Sequence, residues 1–455
     1  MRKAMDFKDK KILVVGLART GVALCRFLSR AGARVTVTDT APGAELADRR
    51  REIAGCGVTE ELGVPQPRWQ GYDLIVLSPG VPPELPWLAQ ARAAGIPVVG
   101  ELEVASPFIR RRLLAVSGTN GKTTTISLVG ELLAASGLKP LVGGNIGTPV
   151  LELLDRQEDA DLLVLEVSSF QLDTAPSFHP QAAALLNLTP DHLDRYPDFA
   201  GYIASKAGLF RRQGEADFRV LNADDPQVAA LGGRGRTCYF SARRILEEGA
   251  WLENGALKVR LPNRPAEVFP LEQIRLKERH NLENVMAALL LALEAGAEAD
   301  ACRRVLASFQ GLPHRLELVA AIGGVEFYDD SKGTNVGAVA CSLAHFQVPV
   351  ILIAGGRDKD SDFSRLSDLR RERVTALVLL GATRDLLARV WGGLAPVHLA
   401  ADMADAVRQA RQLARPGEVV LLSPACASFD MFTDYAQRGE VFQRLVRELR
   451  DADQG

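Results

Sequence analysis

Three observations predict an α/β fold divided into three domains. Short β-rich apolar runs alternate with helical patterns along almost the whole chain. The runs are nearly continuous in apolar residues, as parallel strands covered on both faces are. The chain has 455 residues, enough for more than one domain at about 100–200 residues each. The strand candidates, in order, are residues 12–15, 35–38, 74–77, 113–116, 162–167, 183–188, 325–328, 350–353, 376–380 and 419–422. Residues 21–31, 123–135, 282–295 and 402–414 carry the helical period. Ser106-Pro107 and the basic run after it interrupt the pattern once, and Gly311-Leu312-Pro313 interrupts it again. Domains are therefore expected at residues 1–108, 109–311 and 312–455. Residues 236–276 look less regular and richer in short strands.

Composition narrows the function. Hydrophobic residues make up 47% of the chain, which excludes disorder and a disulfide-stapled miniprotein. Lys plus Arg is 54 and Asp plus Glu is 56, a net charge of −2. A nucleic-acid binder would carry a basic surplus, so none is expected as partner. No run reaches the roughly eighteen apolar residues of a membrane span, so no membrane insertion is expected. Residues 1–11 lack the apolar core of a secretion signal. The six cysteines are scattered and form no C-x-x-C pair, as reduced thiols of a cytoplasmic protein would be.

The sharpest motif is Ser117-Gly118-Thr119-Asn120-Gly121-Lys122-Thr123-Thr124-Thr125, placed after a strand and at the start of a helix. Glycines there let backbone N–H groups turn toward phosphates, and the helix start adds a positive end. Lys122 would hold the outer phosphates, and the Thr123 hydroxyl would ligate Mg²⁺. The spacing departs from the usual phosphate loop, whose first glycine would fall at Val116. A glycine-rich turn with a solvated lysine is the alternative, and the strand–loop–helix context disfavours it. Glu166 closes the next central strand, where a carboxylate overlooks the binding crevice and can ligate the same cation. His192 follows another strand between Asp191 and Asp194, which suits a second metal position or an orienting hydrogen bond.

An earlier loop, Gly16-Leu17-Ala18-Arg19-Thr20-Gly21, also joins a strand to a helix, and Asp39 ends the following strand, poised for a ribose. Ala18 replaces the glycine at which backbone must approach a pyrophosphate, so a nucleotide is expected here but NAD is not. The turn Ser78-Pro79-Gly80-Val81 follows a further strand and could line the same crevice.

These motifs, with Gly144-Asn145-Ile146-Gly147, Glu166-Val167-Ser168-Ser169-Phe170-Gln171-Leu172, Asp191-His192-Leu193-Asp194-Arg195-Tyr196, Gly311-Leu312-Pro313-His314-Arg315, Asp329-Asp330-Ser331-Lys332-Gly333-Thr334-Asn335 and Ser423-Pro424-Ala425-Cys426-Ala427-Ser428-Phe429-Asp430, resemble the Mur ligase superfamily, and within it the D-glutamate-adding branch. They run in that family's order over essentially the whole chain. The resemblance implies a Rossmann-like N-terminal domain, a central P-loop ATPase-type domain with a parallel sheet, and a Rossmann-like C-terminal domain. It implies an ATP-dependent amide ligase of cytoplasmic peptidoglycan precursor synthesis, with ATP, UDP-N-acetylmuramoyl-L-alanine and D-glutamate as substrates, acting as a monomer.

By the same resemblance Arg19, Thr20, Asp39, Thr40, Gly80, Asn145 and Ser168 would meet the UDP-substrate. Gly118, Thr119, Asn120, Gly121, Lys122, Thr123, Thr124, Asn281, Arg315 and Asp330 would meet ATP. Lys332, Thr334, Lys359, Ser428 and Phe429 would surround D-glutamate. Lys122, Glu166, His192 and Lys206 would be catalytic, with Thr123, Glu166, His192 and Lys206 holding two Mg²⁺ ions, Lys206 as a CO₂-derived carbamate. Ala41 stands where an arginine could cover the base, and Tyr435 where a phenylalanine could flank the amino acid. A sister ligase such as folylpolyglutamate synthase would not be expected to carry the Gly16–Gly21 turn with Asp39. A regulatory module without catalysis is opposed by the joint presence of Lys122, Glu166, His192, Lys206 and Arg315.

Overall fold

The computed structural model describes residues 6–145, 147–192, 195–358, 363–366 and 373–453. It holds three sheets. The first has strands β1 (Lys11–Val15), β2 (Arg34–Asp39), β3 (Thr59–Leu62), β4 (Leu74–Leu77) and β5 (Val98–Gly100), in the order β3-β2-β1-β4-β5 and all parallel. Strand β4 is Leu-Ile-Val-Leu and buried throughout, as a strand covered on both faces should be. The order reverses beside β1, and the loop after β1 leads into helix α1 (Arg19–Arg30). Ligands favour such switch points in open α/β sheets. The short helix α2 (Glu101–Ala105) follows β5 and is buried along its length.

The second sheet has nine strands: β6 (Arg112–Ser117), β7 (Pro140–Gly144), β8 (Leu162–Glu166), β9 (Ala182–Leu185), β10 (Phe218–Asn222), β11 (Arg236–Ser241), β12 (Gly249–Glu253), β13 (Ala256–Arg260) and β14 (Glu267–Pro270). The strands from β7 to β12 pair in parallel, and β12, β13 and β14 pair antiparallel. The irregular stretch expected over residues 236–276 is this meander. Strand β6 lies between β8 and β9, so the chain crosses over on either side of it. Helix α3 (Lys122–Ala135) starts at that point. Helices α4 (Val150–Leu154) and α5 (Ser169–Asp173) follow β7 and β8. Helix α6 (Phe199–Ala207) comes later. The long helix α7 (Arg279–Ala295) packs its buried run Val285–Leu291 with α3 into the largest core.

The third sheet has β15 (Glu317–Ile322), β16 (Val325–Asp329), β17 (Val350–Gly355), β18 (Val374–Leu380), β19 (Val397–Leu399) and β20 (Val419–Leu422), in the order β15-β16-β20-β17-β18-β19. Only the edge hairpin β15–β16 is antiparallel. Helix α8 (Val336–His345) begins at Asn335, whose side chain accepts the Ala338 N–H. Helix α9 (Tyr435–Asp453) buries Phe442 and Val446 against the sheet.

Contacts group residues 1–188 and 203–309 into one compact unit and residues 189–202 and 310–455 into another. Among the described residues no helix is long and apolar enough to cross a membrane. The expected strand at 162–167 ends one residue earlier, at Glu166, and that expected at 183–188 runs over Ala182–Leu185. Residues 186–188 leave the ladder and form the wall of the phosphate loop.

Candidate active site

The phosphate loop is fixed before any ligand is considered. Helix α3 begins immediately after Gly121, which has φ of 85°. A Cβ there would lie 2.1 Å from the Asn284 Oδ1 on α7, so the backbone conformation and the neighbour both demand glycine. Asn187 clasps the loop from the end of β9. Its Oδ1 accepts the Asn120 N–H at 2.8 Å, its Nδ2 donates to the Asn120 carbonyl at 3.1 Å, and its own carbonyl accepts the Thr119 N–H at 3.0 Å. Ser117 Oγ donates to the Val167 carbonyl at 2.7 Å, tying β6 to the loop after β8. Lys122 folds back over the loop and donates from Nζ to the carbonyls of Gly118 and Thr119, each at 2.9 Å. Thr124 is buried, its hydroxyl without a hydrogen-bond partner among the described residues.

Beside the loop lies an oxygen-rich cluster. Glu166 is fully buried at the tip of β8. Its Oε2 accepts the Thr123 hydroxyl at 2.7 Å, and its Oε1 accepts Nδ2 of Asn145 at 3.0 Å. The Asn145 N–H donates to the Glu166 carbonyl, and Gly144 N–H to the Thr148 carbonyl, both at 2.9 Å. Gly144 is therefore tied to Thr148, and Asn145 is braced on Glu166. A hydroxyl and a carboxylate in contact beside a phosphate loop suit a hard divalent cation, which takes oxygen ligands. Ser168 next to them is the first residue of a capping box, exchanging hydrogen bonds with Gln171 at the start of α5. Lys206 is 2% exposed on α6, and Ser205 beside it donates to the Ser169 carbonyl. Asn281, at the start of α7, donates to Glu278 at 3.0 Å, and its buried Oδ1 has no partner among the described residues.

The N-terminal loop is built differently. Gly16 has φ of 91°, and its carbonyl accepts the Ser78 hydroxyl at 2.8 Å. A Cβ on Gly21 would lie 2.0 Å from that carbonyl, so α1 starts in contact with the loop's first residue. Asp39 does not project free of the loop. One oxygen accepts the Leu17 N–H at 2.7 Å and the other the Ala41 N–H at 2.9 Å. Arg19, Thr40 and Gly80 are exposed around it, and Thr20 is half-buried.

The second unit carries the remaining expected residues. Asp330 is 4% exposed, and its Oδ2 accepts the hydroxyls of Ser342 at 2.6 Å and Ser423 at 2.7 Å. Burial lifts its carboxyl to about 6, against the pull of those two serines and of the Arg315 charge. Lys332 donates to the Tyr435 hydroxyl at 3.4 Å and lies 4.9 Å over that ring. The phenolic hydroxyl of Tyr435 thus supplies this lysine with a partner. Arg438 on α9 is 2% exposed and donates to Ser331 Oγ, the Ser331 carbonyl and the Cys426 carbonyl, joining two of the family motifs. Burial lowers its guanidinium to about 10.

His314 pairs through Nδ1 with Asp329 Oδ2 at 2.7 Å, and this hydrogen bond raises its pKa. Glu317 stands close enough for the three to resemble a metal cluster. Gln443 Nε2 already donates to both acids, at 3.0 and 2.9 Å, so the set is a closed hydrogen-bond network. His192 has φ of 55° and lies 3.7 Å from Asp191, which accepts the Asn335 amide at 3.3 Å. Ser428 is buried, Phe429 is 66% exposed, and the Thr334 N–H donates to the Lys332 carbonyl. Lys359, Asp194, Leu193 and Ile146 lie outside the described residues.

Lys122, Thr123, Asn145 and Glu166 are thus brought together in the first unit, and Arg315 and Asp330 in the second. Sequence reasoning missed Asn187, Asn284, Ser342 and Arg438. Asn284 follows Asn281 by three residues on one helix face, a spacing that could have signalled it. Ser342 and Arg438 gave no local signal.

Residues 10–100 match the N-terminal domain of Mur ligases of the MurD-like type, residues 116–292 the Mur ligase middle domain, and residues 314–426 the Mur ligase glutamate ligase domain. The UDP-N-acetylmuramoylalanine–D-glutamate ligase of Geotalea uraniireducens is 47% identical over 450 residues, covering 98% of this chain and 99% of that protein. The ligase of the same name from Koribacter versatilis is 42% identical, covering 99% of this chain and 100% of that protein. Among solved structures, a pseudomurein peptide ligase type C from Methanothermus fervidus superposes with a TM-score of 0.61 at 18% identity, covering 97% of this chain and 100% of the other. At that identity the likeness speaks for the fold.

Proposed function

This chain belongs to the Mur ligase family, and on that premise we propose that it is the ATP-dependent ligase joining D-glutamate to UDP-N-acetylmuramoyl-L-alanine in peptidoglycan precursor synthesis. One observation carries the reading: Thr123 at the start of α3 is hydrogen-bonded to the buried strand-end Glu166, in a chain that matches D-glutamate ligases from end to end.

The chemistry follows from the poor electrophilicity of a carboxylate. The terminal carboxylate of the L-alanyl arm attacks the γ-phosphoryl group of ATP, ADP leaves, and an acyl phosphate forms. The amine of D-glutamate then attacks the acyl carbon, and inorganic phosphate leaves. Lys122 places a fixed positive charge against the transferring group. The clasp by Asn187 keeps loop N–H groups oriented, so little reorganisation accompanies transfer. Thr123 and Glu166 would hold Mg²⁺, which neutralises charge on the phosphates when bound. We assign Lys206 to carbamylation, supported by its burial, since a carbamate replaces a poorly solvated cation with an anion able to ligate metal. His192 is assigned a metal or orienting role.

Asn145, Ser168 and the N-terminal residues Arg19, Thr20, Asp39, Thr40 and Gly80 are assigned to the UDP-substrate. Asn281, Arg315 and Asp330 are assigned to ATP, and Lys332, Thr334, Lys359, Ser428 and Phe429 to D-glutamate. We place the domains at residues 1–108, 109–311 and 312–455. Phosphate release from ATP tests the reading. It should require UDP-N-acetylmuramoyl-L-alanine and reach full rate only with D-glutamate, whereas release independent of both would overturn it.

A further inference from the structure

The mechanism above does not use the buried acid Glu101. Glu101 opens α2, directly after β5 of the N-terminal sheet, and is 2% exposed. Its Oε1 accepts the Leu151 N–H at 3.1 Å, in the first turn of α4. Its Oε2 is buried with no hydrogen-bond partner among the described residues. Burying a carboxyl oxygen without a partner costs stability, so a purely structural acid here would be a poor choice. Helix α4 begins at Val150, two residues after Thr148, whose carbonyl holds the N–H of Gly144 next to Asn145, itself braced on Glu166. The carboxyl therefore joins the end of the N-terminal sheet to the element that anchors the Asn145 loop.

Neighbouring contacts reinforce the same junction. The Gly100 N–H donates to the Thr174 carbonyl at 2.9 Å, just after α5. Glu103 accepts the Ser177 N–H at 2.8 Å. Arg30 on α1 holds Asp155, at the end of α4, with both carboxylate oxygens at 2.8 Å. The charged groups on the elements packed against α2 are Glu152 and Asp155 with α4 and Asp173 on α5, all acids. Burial, aided by Glu152, lifts the Glu101 carboxyl to about 7 even though the amides of Leu151 and Val150 pull it down.

We propose that Glu101 is a positioning residue for the UDP-sugar substrate, fixing the start of α4 and, through it, the loop that presents Asn145. The inference rests on the assignment of Asn145 to that substrate. The ionised carboxyl is the better acceptor for the α4 amides, so positioning is tightest when Glu101 is charged.

The test is equilibrium binding of UDP-N-acetylmuramoyl-L-alanine to the full chain without ATP, from pH 6 to 8. Wild type should bind more tightly as pH rises through about 7. Glu101→Gln keeps an acceptor but cannot ionise, and its affinity should be flat over that range. Glu101→Ala should weaken binding about tenfold, roughly the value of one lost hydrogen bond to a carboxylate. Combined with Asn145→Ala it should be no worse than Asn145→Ala alone, because both act through one loop. ATP binding should change by less than about twofold in Glu101→Gln and Glu101→Ala. If wild type does not bind the UDP-sugar, the functional reading fails. If wild type binds and Glu101→Gln keeps the pH step, or the two alanine effects add, the positioning role of Glu101 is overturned. Should Glu101→Ala fail to fold, the pH step in Glu101→Gln decides alone.

Discussion

The chain contains two strand–glycine–helix loops at comparable places in two parallel sheets, and they solve different problems. After β6, the loop ends on a lysine, and its backbone is clasped from outside by the Asn187 amide. After β1, the loop runs into a first turn of α1 that opens on Arg19, and its backbone is held by a carboxylate, Asp39. The first arrangement brings positive charge to the helix start, where an anion is already favoured. The second brings a negative charge to the same kind of place, which suits hydroxyl or base donors and disfavours a triphosphate. Local architecture alone does not identify the ligand. The charged group held against each backbone, Lys122 in one and Asp39 in the other, separates the two loops.

The largest expected effect strikes at the first arrangement. Lys122→Ala should lower turnover at least about 10²-fold while leaving the chain folded, the scale for one preorganised charge stabiliser. Near-normal turnover in the folded variant would remove the distinction between the loops. Gly121→Ala should come next. The added Cβ meets Asn284 at 2.1 Å in a left-handed backbone, and unfolding experiments should show a loss of about 1–3 kcal/mol.

Asp330, a third strand-end acid, sharpens the contrast through pH. A carboxyl raised to about 6 in the folded chain binds protons more readily than the unfolded chain between about pH 4 and 6. Stability should therefore fall as pH rises through that window. Asp330→Asn should flatten the fall, worth about 1–3 kcal/mol by neutral pH, while weakening ATP binding. Denaturant titrations across pH would show it. Asp39→Asn keeps one acceptor of two and should cost about 1 kcal/mol, with the affinity for the UDP-sugar dropping and that for ATP unmoved. Gly80→Ala should be smallest, within about 0.5 kcal/mol in stability, because a Cβ there meets nothing within 4 Å.

Much of this was legible from residue order. The buried parallel strands announced themselves as apolar runs, and Gly121, Lys122 and Glu166 stood where strand ends and helix starts had to be. What stayed hidden was long-range. Strand β15 reads poorly because it is an edge partner with only two of its six residues buried. Helix α9 is rich in charge, and its inward face becomes obvious only once Phe442 and Val446 meet the sheet and Arg438 meets Ser331 and Cys426. The double serine grip on Asp330 joins residues 12 and 93 positions away, beyond any local pattern. The two backbone amides that Asp39 accepts, those of Leu17 and Ala41, were likewise not legible from its place at a strand end.

The folded-back posture of Lys122 has one further consequence. Its ammonium rests on two carbonyl dipoles, so it is never a bare ion waiting in a pocket. An incoming polyphosphate exchanges one set of oxygens for another around the same nitrogen. Capture at this position is then a swap of partners rather than the stripping of a hydrated cation.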